Sequence, residues 1–131
     1  MSAPSLKDFQ DQVSELLLRH RSVLDVLSKL QQSGAAVNRS VIKSITECGC
    51  VEVTARKQTY TPEMTLEQAK LQLNTHLEGQ LCENCMEVVG AEIGKHLFYL
   101  SALANLLDVD LEETVESESK KCAALGLFNM S

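Results

Sequence analysis

Apolar residues in the first third of the chain recur at alternating steps of three and four positions, the spacing of one face of an α-helix. A Ser-x-x-Asp pattern at Ser5 precedes this series and is typical of a capping box at a helix N-terminus. A second such pattern starts at Ser22, so residues 5–32 form either one helix or two abutting helices. We expect Ser33 and Gly34 to end or kink this helix, after which helical spacing continues to residues 48–50. The apolar seam comprises Leu6, Phe9, Val13, Leu16, Val23, Leu27 and Leu30.

The pattern changes between residues 51 and 61, where a brief apolar alternation is followed by a polar stretch. It predicts a connector or a short strand. Thr65 opens another capping-box pattern, from which apolar residues at helical spacing run to Leu77. We expect this stretch to be a helix that Gly79 closes.

The longest helical pattern covers residues 81–107, and a last helix is predicted from an N-cap at Asp110 to Leu125. One apolar face of the last helix carries Leu111, Val115, Cys122 and Leu125. The whole chain, residues 1–131, is therefore predicted to be a single domain. Its fold class is all-α, a helical bundle of about five helices.

The chain has 131 residues, with 44% hydrophobic and 23% charged side chains, the composition of one ordinary globular domain. A formal charge of -6, with no Trp, two Tyr and three Phe, argues against a surface that tracks and stacks on nucleic acid. The longest apolar stretch, Leu97 to Val109, contains polar residues and is shorter than the about 18 residues of a membrane span. The chain starts without an apolar signal segment. We therefore expect a cytoplasmic protein that binds neither nucleic acid nor membranes.

Four of the five cysteines form two closely spaced pairs, Cys48-x-Cys50 and Cys82-x-x-Cys85. Four thiolates can complete a tetrahedral zinc site if the fold brings the two pairs together. The sequence therefore predicts a structural zinc ion held by Cys48, Cys50, Cys82 and Cys85. Two alternatives remain open, namely packed or surface thiols and a redox dithiol at the second pair. Cys122 lies on an apolar seam and is expected to serve packing alone.

Two histidines, His20 and His96, each interrupt an apolar seam. An inward-facing histidine in a helical bundle can ligate a metal ion. A lone histidine in such a seam is more often a hydrogen-bonded residue of the core or of an interface. We expect the second role for both, with metal ligation as the alternative.

The run from Glu92 to Glu113 resembles the second half of the MazG-like, all-α nucleoside triphosphate pyrophosphohydrolases. In that family an E-x-x-D motif leads into an apolar helix with Tyr and Ala-Asn positions, followed by an Asp-Leu-Glu turn into the last helix. The resemblance covers roughly residues 81–125. It implies a helical bundle that is usually oligomeric, a nucleotide ligand and, in active members, magnesium-dependent hydrolysis of nucleoside triphosphates to monophosphate and pyrophosphate.

The chain departs from this family pattern at the metal ligands. Glu92 matches the glutamate of the motif, but Lys95 stands where the family has its aspartate. The family also carries an upstream E-E-x-x-E helix, whereas residues 22–47 contain only two acids and the one literal match, at residues 112–116, lies after the motif. Magnesium requires an octahedral shell of well-placed oxygens, so these losses should abolish the usual site.

We therefore expect a degenerate family member that is not an enzyme and has a binding, regulatory or structural role, with a structural zinc site. The alternative is a magnesium-dependent pyrophosphohydrolase in which Glu83, Glu87 and Glu92 are completed by acids from a symmetry partner. We also expect a homo-oligomer, most simply a dimer, because two long helices with wide apolar stripes present more hydrophobic surface than one small bundle covers.

Overall fold

The computed structural model describes residues 3–17, 22–59 and 61–125 of the chain. Within these ranges the protein is mostly helical, as predicted, with one small two-stranded antiparallel sheet. A one-turn π-helix over Ser44–Cys48 continues the second helix. The helices are α1 (Leu6–Leu16), α2 (Val23–Lys43), α3 (Leu66–Gln72), α4 (Glu83–Leu106) and α5 (Leu111–Leu125), and the strands are β1 (Val51–Val53) and β2 (Leu77–Gly79).

The predicted capping signals begin the helices. Ser5 Oγ accepts a hydrogen bond from the Asp8 amide at 3.1 Å, and the Asp8 carboxylate accepts one from the Ser5 amide at 3.2 Å. Ser22 Oγ caps α2 by accepting from the Leu24 amide. Residues 5–32 thus contain two helices rather than one. His20 lies between them, outside the described residues.

The second helix does not end at Ser33 and Gly34, so the prediction of a helix end there is wrong. α2 runs through both residues because it packs lengthwise, and antiparallel, against α4. Ser33 Oγ donates to the Leu30 carbonyl oxygen and lies 2.9 Å from His96 Nδ1. A Cβ on Gly34 would lie 3.3 Å from the His96 ring, so the small residue lets α4 come close.

The helix predicted to run to Leu77 stops early. α3 ends at Gln72, and Leu77–Gly79 instead pairs antiparallel with Val51–Val53, so that Val51 lies opposite Gly79. The short strand at residue 51 agrees with one of the two predicted possibilities, whereas its partner strand was not predicted.

The hydrophobic core lies where α1, the start of α2 and the end of α4 meet. Val13, Leu17, Val26 and Ala102 are buried there, with Phe9, Phe98 and Leu103 packed around them. Between Leu111 and Leu125 no residue is buried, and Cys122 is exposed, so the prediction that it packs in a core is wrong within the single chain. Across the described part of the chain, none of the helices combines the length and apolar character needed to cross a bilayer.

Candidate metal centre

The first cysteine pair lies on a tight turn at the end of the π-helix. Gly49 has a φ of 79°, in the left-handed region that favours glycine, and its amide donates to the Ser44 carbonyl oxygen at 2.9 Å. The chain reverses at this residue. Cys48 and Cys50 are therefore placed on either side of the turn, with Cys50 Sγ 3.8 Å from the Ser44 carbonyl oxygen.

The second pair lies at the start of α4. Cys82 is the N-cap residue, and its Sγ accepts a hydrogen bond from the Cys85 amide at 3.4 Å. Cys85 follows in the first turn of the helix and is only 8% exposed. A helix N-terminus favours negative charge, so the N-cap position favours the thiolate form of Cys82.

The two-stranded sheet brings the two pairs together. Because Val51 lies opposite Gly79, the residues just before β1 come next to those just after β2. Gly79 has a φ of 87°, and a Cβ there would lie 2.6 Å from the Cys50 carbonyl oxygen. The close approach of the two strands beside the cysteines thus depends on a glycine at this position.

The four sulfur atoms of Cys48, Cys50, Cys82 and Cys85 all lie within 4.8 Å of one another. The Cys48 and Cys82 sulfurs are 3.8 Å apart. A tetrahedron with metal to sulfur bonds of about 2.3 Å has edges of about 3.8 Å, so this spacing fits four ligands of one ion. The set predicted from sequence therefore meets in space, and its chemistry and geometry fit a metal ion.

Hydrogen bonding gives the two thiols of the second pair, Cys82 and Cys85, different pKa values. The pKa of Cys82 is lowered to about 7, first because the Cys85 amide donates to its Sγ and then because of the Cys85 side chain. The pKa of Cys85 is raised to about 12, first by its hydrogen bond with the Cys82 side chain and then by burial. Near neutral pH the thiolate of this pair is therefore on Cys82, and the proton is on Cys85.

The other predicted candidates do not join this cluster. His96 is half-buried and hydrogen-bonded to Ser33, which agrees with the core role expected for it. Glu92 pairs with Lys95, with 3.8 Å between Oε1 and Nζ, whereas Glu83 and Glu87 are exposed on other faces of α4. Over residues 3–17, 22–59 and 61–125, only the cysteine set brings three or more Cys, His, Asp or Glu ligand atoms close enough to share an ion.

Two residues that shape the site, Ser44 and Gly79, were not predicted to take part in it. Gly79 was expected to close a helix, whereas it allows the close approach to the Cys50 carbonyl oxygen. Ser44 acts through its main-chain carbonyl, for which the sequence carries no signal. Comparison of the chain with models of protein families, with curated proteins and with solved structures found no match.

Proposed function

We propose that this chain is a zinc-binding helical protein with a non-catalytic, binding or regulatory role. The observation that carries the proposal is the convergence of four cysteine sulfurs within 4.8 Å of one another. Cys48 and Cys50 follow α2, while Cys82 and Cys85 begin α4. A shared ion would join the end of one long helix to the start of its antiparallel neighbour.

The donor set favours zinc in a structural role. Soft thiolates select zinc among the common divalent ions, and a set of four cysteines is typical of closed tetrahedral sites. A catalytic zinc needs an open position for water or substrate, and four protein ligands leave none. This chemistry supports stabilisation of the fold rather than hydrolysis at the metal.

A redox dithiol at Cys82 and Cys85 accounts for fewer of the observations. A redox pair needs only two sulfurs, whereas here Cys48 lies 3.8 Å from Cys82 across 34 positions of sequence. The turn at Gly49 and the strand end at Gly79 both have left-handed backbone conformations, which glycine adopts readily and other residues rarely do, and they bring the first pair to the second. Such an arrangement is what a shared ligand requires.

The arrangement of acids supports a non-catalytic interpretation of the MazG-like resemblance. Glu92 contacts the ammonium group of Lys95, the residue that replaces the aspartate of the family motif. An ammonium group in this position would repel a magnesium ion rather than bind it. We therefore propose that the chain keeps the helical framework of that family without its hydrolytic centre.

Metal analysis of the purified protein tests the zinc proposal. We expect about one zinc per chain, loss of that zinc in Cys85→Ser, and a lower melting temperature after chelation, because folding and metal binding are coupled in such sites. Cys122→Ser is the matched control and should keep the full zinc content. A metal-free preparation that melts at the same temperature as the untreated protein would contradict the proposal.

Hydrolysis assays test the non-catalytic part. With magnesium and each common nucleoside triphosphate, including dUTP, we expect no release of pyrophosphate above background. Lys95→Asp alone should not create activity, because the upstream carboxylates are still missing. Turnover that disappears in Glu92→Ala would instead support the magnesium-dependent enzyme.

A further inference from the structure

An open cavity of about 320 Å³ lies between α2 and α4, in the part of the helix pair that separates the apolar core from the cysteine cluster. Each helix contributes polar residues that lie on one of its faces, at spacings of one, three or four positions. Packed helices usually meet through apolar stripes, so polar side chains here are available to a ligand. The polar residues that line the cavity are Lys29, Gln32, Ser33, Glu92, Lys95 and Tyr99.

The charges that line this cavity favour an anion. Two ammonium groups, those of Lys29 and Lys95, accompany one carboxylate, that of Glu92, which is already paired with Lys95 at 3.8 Å. Lys29 is half-buried, and its ammonium group has no ion pair or hydrogen bond among the residues that the structure describes. In a chain with a formal charge of -6, the cavity is therefore a local site of positive charge.

Neutral hydrogen-bond donors accompany the two lysines. Within the described part of the chain, the Gln32 amide and the Tyr99 hydroxyl group have no hydrogen-bond partner, so both can donate to an anion. Ser33 is different, because its Oγ donates to the Leu30 carbonyl oxygen and lies 2.9 Å from His96 Nδ1. The buried Ser33 therefore belongs to the fixed wall of the cavity, whereas Gln32 and Tyr99 can bind a ligand.

We propose that this cavity binds the oxyanion group of a small organic molecule, a phosphate or a carboxylate, without a metal ion. Lys29 supplies the charge, and Gln32 and Tyr99 supply hydrogen bonds to the anionic oxygens. The cavity is larger than a single tetrahedral anion, and its volume lies at the lower end of the range for small-molecule sites, about 300–1,000 Å³. This assigns a class of ligand to the binding role proposed above, and it does not depend on the zinc ion.

Amide NMR spectra of the zinc-loaded full chain test this site, with phenyl phosphate, benzoate and inorganic phosphate added in magnesium-free buffer at constant ionic strength. We expect saturable shifts at residues 29–36 and 92–99 with phenyl phosphate or benzoate, and weaker binding of inorganic phosphate. Lys29→Gln should raise the dissociation constant of the organic anion about tenfold, because it removes a charge-assisted hydrogen bond. Lys7→Gln is the matched control, since it changes the net charge equally at an exposed position of α1 that does not line the cavity. It should leave the dissociation constant unchanged.

A second variant, Glu92→Gln, distinguishes an anion site from a magnesium site. It removes a negative charge and releases Lys95 from its ion pair, so the anion should bind about threefold more tightly, whereas a magnesium site would lose its ligand.

Four results would overturn the proposal: binding that requires magnesium, equal dissociation constants in the wild type and Lys29→Gln, inorganic phosphate that binds as tightly as phenyl phosphate, or no saturable shift with either organic anion at millimolar concentration. Zinc content measured on the same samples keeps each of these results separate from the zinc proposal.

Discussion

At the scale of single residues, the cluster depends on two glycines that have the same backbone conformation for different reasons. Gly49 and Gly79 have φ values of 79° and 87°. Around Gly49 a Cβ would meet open space, whereas at Gly79 it would lie 2.6 Å from the Cys50 carbonyl oxygen. Substituting each by alanine therefore separates backbone strain from a steric clash.

We expect Gly49→Ala to lower the free energy of unfolding by about 1–2 kcal/mol, the cost of a side chain in the left-handed region, and to keep its zinc. Gly79→Ala should cost more and weaken zinc binding, since the strands must separate beside Cys50. Denaturant unfolding measures the free energy of unfolding of the two variants, and metal analysis measures their zinc content. Equal losses in both would show that the contact at Gly79 does not support the site.

The unequal thiols of the second pair predict how zinc binding depends on pH. Ligand cysteines bind as thiolates, so zinc displaces any protons they carry. Cys82, with its pKa lowered to about 7, has mostly lost its proton at pH 8 and mostly kept it at pH 6. The pKa of Cys85 is raised to about 12, so its proton is displaced at both pH values.

We therefore expect zinc to release about one more proton at pH 6 than at pH 8, so its affinity falls more steeply as the pH drops below about 7. Calorimetric titration of the metal-free protein with zinc, in two buffers of different ionisation enthalpy, measures the number of protons released at each pH. Equal release at both would contradict the assignment of the low pKa to Cys82.

At the scale of elements, one side chain fixes α1 to the turn between α4 and α5. Gln10 is 7% exposed; its Nε2 donates to the Val109 carbonyl oxygen at 2.7 Å, and its Oε1 accepts from the Leu111 amide at 2.9 Å. Asn105 Nδ2 donates to the Gln10 carbonyl oxygen from the other side. This network positions the start of α5, a helix with no buried residue of its own.

We expect Gln10→Ala to lower the free energy of unfolding by about 1–3 kcal/mol, because it removes two part-buried hydrogen bonds between α1 and the turn before α5. Gln12→Ala, on the same helix but exposed, should change it by less than about 0.5 kcal/mol. Chemical denaturation of both variants makes the comparison. Similar values would mean that the network does not stabilise the fold.

The starts of the helices could be predicted from the sequence, but not all of their ends. Helix starts are predictable because the capping residues Ser5, Ser22 and Thr65 satisfy their own local amides. The end of α3 was missed because its apolar spacing continues to Leu77, while Asn74 Oδ1 accepts from the His76 amide and holds a non-helical turn.

Contacts between residues that are distant in sequence determine the features that the sequence did not predict. Ser33 and Gly34 carry a local signal for a helix end, but packing against His96 keeps α2 continuous. The four cysteines of the candidate site could be selected from their paired spacing. Their meeting in space could not be predicted, because it depends on the pairing of Val51 with Gly79, two residues that are distant in sequence.

At the scale of the whole molecule, α2 and α4 form a long antiparallel pair that is secured differently at its two ends. Apolar packing of Val13, Val26 and Ala102 holds one end. The cysteine cluster lies at the other, where Cys85 itself and Val51, the residue after Cys50, are buried. A small chain with a modest core gains most from a metal ion at the end that its core does not reach.

The two cysteine pairs also bracket residues 51–81, so the cluster closes this stretch into a loop whose ends are already held together. Residues 54–59 within it are exposed and lack regular structure. Doubling the length of a closed loop costs only about 0.6 kcal/mol, so a Gly/Ser peptide inserted between Arg56 and Lys57 should leave the melting temperature almost unchanged. A protease cut at this point in the zinc-loaded protein should leave the two fragments travelling as one particle, because α2 and α4 pack together and a shared metal ion would bind a cysteine pair on each side of the break.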